Sequence, residues 1–218
     1  MPENRKKKLF HSLREEYGNA PFLEEEIKKD PIEQFSIWFD EAVHAAVFEP
    51  NGMVLATVSP NFHPSTRTLL LKEFDERGFV FFTSFNSRKG DQLLVNPYAS
   101  ATFWWKEIYR QVHIEGKIER VRRKEAIHYF KQRPKGAQIA SLASIQSEPL
   151  SSREELEASY LEVEKKYSGK EIPCPMRFGG YRLIPERMEF WQGRKNRLHD
   201  RIVYIHVDDL WISSRLSP

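Results

Sequence analysis

Between residues 197 and 201 the chain reads R-L-H-D-R, shortly after E-F-W-Q-G at 189–193. Two guanidinium forks can grip phosphate or carbonyl oxygens, and an imidazole can donate or accept a proton near neutral pH. Trp191 offers a wall for a ring. The set suits a planar, anionic ligand. The same residues would also make a polar hairpin in which Asp200 pairs with a neighbouring arginine, because charge clusters are often structural. Three internal clusters bear on the choice. R-T-L-L-L-K at 67–72 puts a cation at each end of an apolar stretch, and strand alternation sends Arg67 and Lys72 to opposite faces, toward two different anions. Phe82-Thr83 is followed by S-R-K-G at 87–90, where hydroxyls, two cations and the N–H groups of a helix start would suit a phosphate. Tyr129 and Arg133 lie four apart on a helix and share a face. Each cluster taken singly reads as surface cations. Several in one compact domain favour phosphorylated ligands.

Other chemistries lack their residues. The ten glycines form neither G-x-G-x-x-G nor a phosphate-binding P-loop. The seven histidines include no H-E-x-x-H, the single cysteine excludes a thiolate zinc site, and no G-x-S-x-G is present, so no metal is expected. Nothing near Cys174 in sequence would lower its pKa, and one cysteine makes no internal disulfide, which points to a reducing cytoplasm. With 40% hydrophobic and 30% charged residues over 218 positions, the composition is that of a soluble globular chain. No apolar run approaches the ~18 residues of a membrane span, and no apolar segment follows the basic N-terminus as in a secretory signal. The net charge of +3 is small and concentrated in part at Arg5–Lys8; the remaining cations form no stripe, which argues against nucleic acid.

The elements that must position these residues follow from periodicity and capping. Residues 1–20 are expected to form a flexible segment, polar and basic to about Lys8, with a helical turn over His11–Tyr17. Residues 21–218 are expected to form one domain. Asp30-Pro31-Ile32-Glu33 starts a helix, and Ile32, Phe35, Trp38, Phe39, Ala42, Val43 and Ala46 recur along its inner face to about Val47. Strands are expected at Met53–Val58, Thr66–Phe74, Phe79–Ser84, Ala99–Trp105, Arg110–Arg122, Gly179–Ile184, Glu186–Gln192, Ile202–His206 and Leu210–Arg215. Helices are expected at Ser87–Asn96, Lys124–Gln132 and after the Ser152–Glu155 capping box. Short turns leave no room for parallel crossovers, so the sheet is antiparallel, closing as a barrel with helices outside: an α+β fold.

The sequence resembles the pyridoxine (pyridoxamine) 5′-phosphate oxidase family from Arg14 to Leu216. The resemblance rests on R-T-L-L-L-K, F-F-T at 81–83, S-R-K-G, R-Q-V at 110–112, Q-S at 146–147, E-F-W-Q-G, R-L-H-D-R and the closing R-L-S-P. It implies an FMN-binding split β-barrel and a homodimer with flavin sites at the subunit interface. FMN contacts would fall on Arg67, Thr68, Leu69, Leu70, Leu71, Lys72, Phe82, Thr83, Arg88, Lys89, Gln111, Gln146, Ser147, Trp191 and Arg201. Substrate contacts would fall on Lys72, Tyr129, Arg133, Arg197 and His199, with Arg14 and Tyr17 as a mobile lid. Arg197 and His199 would bracket the reacting ring as the catalytic pair.

The implied reaction is oxidation of pyridoxine 5′-phosphate or pyridoxamine 5′-phosphate to pyridoxal 5′-phosphate by hydride transfer to flavin. Dioxygen would serve as the final acceptor and yield hydrogen peroxide. Two cations aimed at a terminal monophosphate favour FMN over FAD. Two departures stand out: Ala137 replaces a frequent serine, removing one hydroxyl from the substrate phosphate, and Leu142 replaces a frequent tryptophan. The rival readings are a split-barrel flavin oxidoreductase acting on another substrate and a non-catalytic carrier of FMN or pyridoxal phosphate.

Overall fold

The structure, a computed structural model, describes residues 16–18 and 20–218. Arg14, the basic N-terminus and most of the His11–Tyr17 turn lie outside the described residues. Five helices are described: α1 (Pro31–His44), α2 (Arg88–Val95), α3 (Arg123–Gln132), α4 (Lys135–Ala143) and α5 (Arg153–Lys166). Nine strands are described: β1 (Gly52–Val58), β2 (Pro64–Leu70), β3 (Glu73–Asp75), β4 (Gly78–Ser84), β5 (Tyr98–Trp105), β6 (Arg110–Arg120), β7 (Phe178–Gln192), β8 (Asp200–Val207) and β9 (Leu210–Arg215). They form one sheet in the order β2-β1-β5-β6-β7-β4-β3, with β8 pairing β7 and β9.

By density of contacts the chain forms two compact units, each discontinuous in sequence. The first comprises residues up to Pro50, Trp104–Val112 and Met188–Pro218. Its helix α1 begins as capping chemistry requires. The Asp30 side chain accepts the Ile32 N–H at 2.7 Å, and Pro31 occupies the first turn, where no N–H partner is needed. The apolar stripe of α1 buries Phe35, Trp38 and Ala42. Trp38 meets Phe22 at 4.7 Å and Phe190 at 5.2 Å between ring centroids, and Phe190 meets Tyr204 at 5.6 Å. Such ring pairs add about 0.5–1.5 kcal/mol each beyond their buried area. Strands β8 and β9 pair in register from Ile202↔Arg215 to Val207↔Leu210.

The second unit comprises Asn51–Phe103 and His113–Arg187. Here β1 pairs antiparallel with β2 and β5, and β4 with β3 and β7. The sequence pattern over Thr66–Phe74 reads as one strand; the structure breaks it after Leu70. Leu71 N–H donates to Asn51 O at 2.8 Å, next to the last β1 pairing, whereas Lys72 N–H donates to Val80 O at 2.9 Å on β4. The chain changes partner between these two residues, so Lys72 leaves β2 at a corner and not by simple alternation. In the opposite sense, the two segments expected around Pro185 are one strand, β7, of 15 residues. Helix α4 has no counterpart among the expected elements. It buries Ile139 in a cluster with Phe130, Ile172 and Phe178, onto which Leu142 and the α5 residues Tyr160 and Val163 also pack.

Candidate functional site

In the second unit, four elements bring the cationic residues together. Ser87 caps α2 by accepting the Gly90 N–H. Gly90 is required there, because a Cβ would stand 2.0 Å from Phe85 O. The tight turn carries Lys89 inward to 6% exposure. Its ammonium donates to Thr83 Oγ1 and Ser87 Oγ, both at 3.1 Å, and to Gln146 Oε1 at 3.0 Å. Thr83 in turn donates to Gln146 at 2.9 Å. Arg67 lies near enough to disfavour the Lys89 charge. Burial first, and then Arg67, lower the Lys89 pKa to about 8. Burial first, and then Arg88, lower Arg67 as well.

The Arg67 guanidinium is strapped in place by Thr57 Oγ1 at 2.6 Å, Ser65 Oγ at 2.8 Å and Leu55 O at 3.2 Å. Gln92 Oε1 accepts from both hydroxyls and so holds the strap to α2. Among the described residues, neither Arg67 nor Lys89 pairs with a carboxylate. Two desolvated cations with hydroxyl neighbours and no counter-ion form a donor set that fits a phosphate monoester. Arg88, exposed at the first position of α2, adds a third positive charge. Ser147 follows Gln146 with φ +74°, a backbone conformation uncommon for serine.

Two cavities, of about 290 and 610 Å³, share Leu69, Phe82, Arg133 and Phe178 in their walls. Thr83 and Gln146 line the smaller, while Leu70, Lys72 and Tyr129 line the larger. Phe82 stacks on Tyr129 at 4.0 Å with 10° between planes, and the Arg133 guanidinium lies 5.0 Å over the Phe178 ring. Burial lowers the Arg133 pKa, and no carboxylate pairs with it among the described residues. The structure therefore places Lys72, Tyr129 and Arg133 on one cavity wall, and Arg67 elsewhere, in its own hydroxyl strap. Thr68 lies on β2 beside Leu69, while Leu71 is buried at the corner before Lys72.

The first unit holds the other cluster. Trp191, His199, Tyr109 and Tyr17 form an aromatic box. Trp191 lies 4.6 Å from His199, and Tyr17 lies 5.3–5.6 Å from the other three rings. Gly193 lets the box close, since a Cβ there would meet Tyr17 and Tyr109 at 3.0 Å. Arg197 sits 5.6 Å from the Tyr17 ring, in a loop where Asn196 and Arg197 have φ +56° and +62°. Left-handed backbone at two successive non-glycine residues is a strained arrangement of the kind that clusters at functional sites.

The Arg194 N–H points at His199 Nδ1, 3.0 Å away. A backbone N–H can only donate, so Nδ1 carries no proton and the neutral imidazole presents Nε2–H as a donor. Burial first and Arg197 second lower the His199 pKa, against an opposing pull from Asp200.

Asp200 is structural. It accepts from Phe22 N–H at 3.1 Å and pairs with Arg194 at 2.9 Å and Arg215 at 2.7 Å. Burial would raise its pKa, but these partners hold it below the usual carboxylate range. Arg201 pairs with Glu189 at 2.7 Å and donates to Ser217 O at 2.8 Å. Gln111 is half-buried on β6. Sequence reasoning missed Thr57, Ser65 and Gln92 behind Arg67, and Tyr109 in the aromatic box. No local motif marks them: apart from Ser65, two residues from Arg67, their partners are distant along the chain.

Residues 39–167 match the family described as pyridoxamine 5′-phosphate oxidase. Residues 178–218 match the pyridoxine 5′-phosphate oxidase C-terminal dimerisation region. The chain is 49% identical to pyridoxine/pyridoxamine 5′-phosphate oxidase of Rubrobacter xylanophilus over the whole of both chains. It is 48% identical to the Trichormus variabilis enzyme of that name over 94% of this chain and 97% of the relative. Among solved structures it is similar to PhzG from Burkholderia lata, crystallised with tetrahydrophenazine-1-carboxylic acid. The TM-score is 0.87 at 33% identity, covering 92% of this chain and 100% of the other. A pyridoxamine 5′-phosphate oxidase-related, FMN-binding protein from Nostoc punctiforme shares the fold, with TM-score 0.68 at 20% identity over 84% and 97% of the chains.

The fold is thus an α+β, antiparallel split β-barrel, of the pyridoxamine 5′-phosphate oxidase class. The chain belongs to the pyridoxine/pyridoxamine 5′-phosphate oxidase family and is an oxidoreductase.

Proposed function

We propose that this protein oxidises pyridoxine 5′-phosphate or pyridoxamine 5′-phosphate to pyridoxal 5′-phosphate, with FMN as cofactor. The observation that carries the reading is the pair of separate cation sites in the second unit. One is Arg67 and Lys89 with Thr83 and Gln146; the other is Lys72, Tyr129 and Arg133. A flavin mononucleotide and a phosphorylated substrate each need one such grip. Arg67 and Lys89, with Thr83 and Gln146 beside them, would hold the FMN phosphate, and the flavin would supply the acceptor for a hydride from the C4′ carbon of the substrate, with dioxygen as the final oxidant and hydrogen peroxide as its product.

The chain's own residues bind and orient. Lys72, Tyr129 and Arg133 hold the substrate phosphate and so fix the ring, an entropic contribution. Arg197 and the Nε2–H of His199 serve the ring and its oxygen substituents as donors; with Nδ1 occupied by a backbone N–H, His199 is unsuited to be a general base. Trp191, Gln111 and Arg201 are assigned to the flavin ring, and Tyr17 with Arg14 to a lid over the substrate. A cytoplasmic location accords with the reading, and among the described residues no helix is long and apolar enough to cross a membrane.

The test is anaerobic. The purified protein should be yellow, bleach on addition of pyridoxine 5′-phosphate and recover its colour in air. A yellow protein that never bleaches with either phosphate would be a carrier. Bleaching only with a phosphate-free tricyclic amine acid would favour a substrate like that of the PhzG structure.

The match of residues 178–218 to a dimerisation region supports a homodimer, with flavin sites assigned to the interface. FMN at about a hundredfold over its Kd should then stabilise the dimer by ~2.7 kcal/mol, raising Tm by roughly 5–10 °C for a chain of this size. The species should sediment as a dimer. A monomer that holds FMN tightly would remove the interface from the assignment.

A further inference from the structure

Arg133 occupies the corner between α3 and α4, just beyond the last helical turn of α3 and before Pro134. A long side chain at a corner has many rotamers, and ordering it on ligand binding is costly. Two contacts remove that freedom in advance. The Phe178 face, 5.0 Å from the guanidinium carbon, restrains its position. Ser141 Oγ, 2.6 Å from Arg133 Nη1, restrains its rotation.

The direction of the second contact is set by chemistry. Guanidinium has donors only, so the hydroxyl accepts from Nη1. Its own proton goes to Ala137 O, 3.0 Å away and one helical turn back. The turn that carries Ser141 is itself pinned, because Arg177 Nη2 donates to the carbonyls of Ser141 at 2.8 Å, Leu142 at 3.0 Å and Ser144 at 3.3 Å. Both Arg133 and Ser141 stand in the wall of the smaller cavity, and Arg133 also reaches the larger one beside Lys72 and Tyr129.

We propose that Ser141 is a positioning residue for substrate recognition: its hydroxyl holds the Arg133 guanidinium in the rotamer that presents its remaining N–H groups to the phosphate of the substrate. The proposal rests on the phosphate-binding role given to Arg133 above. Ser141 does the work of a hydroxyl on this helix face, where Ala137, four residues earlier on the same face, has none.

The experiment is steady-state kinetics of the FMN-loaded enzyme with pyridoxine 5′-phosphate. Ser141→Ala should raise KM about tenfold, the effect of losing a hydrogen bond to a charged group. It should change kcat by less than about twofold, because the phosphate is gripped alike in ground and transition states. Ser141→Thr keeps the hydroxyl and should stay close to the parent. Adding Ala137→Ser to Ser141→Ala returns a hydroxyl to the face and should recover part of the KM. In an Arg133→Lys background the Ser141→Ala effect on KM should largely vanish, because the two residues act as one unit.

A KM unchanged in Ser141→Ala overturns the assignment, as does the same KM increase with and without Arg133, which would mark Ser141 as a general packing residue. A parent enzyme inert toward both phosphates would overturn the proposed function and this role together. A normal parent with an insensitive Ser141→Ala variant overturns the Ser141 role alone.

Discussion

An Arg197→Met variant should lose roughly ten- to a hundredfold in kcat/KM for pyridoxine 5′-phosphate, the cost of removing a charged hydrogen-bond partner. Its FMN affinity should change by less than about twofold, because the proposed grip on the FMN phosphate is assigned to Arg67 and Lys89 and not to Arg197. The expectation follows from position. Arg197 is exposed in a strained loop, with its guanidinium beside Tyr17 and without a carboxylate partner among the described residues. Arg194 and Arg215, by contrast, both pair with Asp200, and Arg201 pairs with Glu189 while keeping N–H groups to spare. Methionine matches much of the length of arginine and keeps the apolar contact, so the variant isolates the donors. Flavin titration and steady-state kinetics on the same preparation separate the outcomes. Loss of flavin with retained turnover at saturating FMN would move Arg197 into the cofactor site.

FMN binding should weaken as pH rises above about 8, and Lys89 should be the cause. Burial first and Arg67 second bring the Lys89 pKa down to about 8, so the ammonium of the unliganded protein is lost from that pH upward. A phosphate dianion favours the charged form and raises the pKa again. Binding above pH 8 must therefore take up a proton, and Kd should climb by up to about tenfold per pH unit until the pKa of the bound state is reached. The stability of the unliganded protein has the opposite trend. Between about 8 and the ordinary lysine value of 10.5 the unfolded chain binds more protons than the folded one, so this group makes folding more favourable as pH rises through that window. Lys89→Met should cost roughly ten- to a hundredfold in FMN affinity at pH 7 and abolish the slope. A Kd that stays flat from pH 7 to 9.5 in the parent would refute the role of Lys89, and a slope that persists in Lys89→Met would transfer it to another group.

Local chemistry made much of this protein legible in its sequence. Asp30-Pro31 and Ser152 start helices because each meets an orphaned N–H within three residues, a contact that depends on nothing distant. Strands β1, β4, β5, β8 and β9 lie within two residues of where alternation and turn residues put them. S-R-K-G and R-L-H-D-R singly read as surface cations or a polar hairpin; only in combination with the other clusters did their residue types favour anion and ring chemistry. Only the tertiary structure decided the rest. Alternation runs unbroken through Leu71 and Lys72, but which strand each pairs with is a long-range matter, and that exchange of partners sets where Lys72 points. Helix α4 is short, contains Gly136 and lacks a side-chain cap, so nothing local nucleates it; the burial of Ile139 against Phe130 and Phe178 does. The sequence left open whether Asp200 pairs with a neighbouring arginine, and the fold decides it by bringing Phe22, Arg194 and Arg215 to its oxygens. The pKa of Lys89, the hydroxyl strap on Arg67 and the Ser141 contact with Arg133 depend on burial and on partners 2 to 57 residues away. Desolvation and orientation belong to the assembled fold, and no window of sequence contains them.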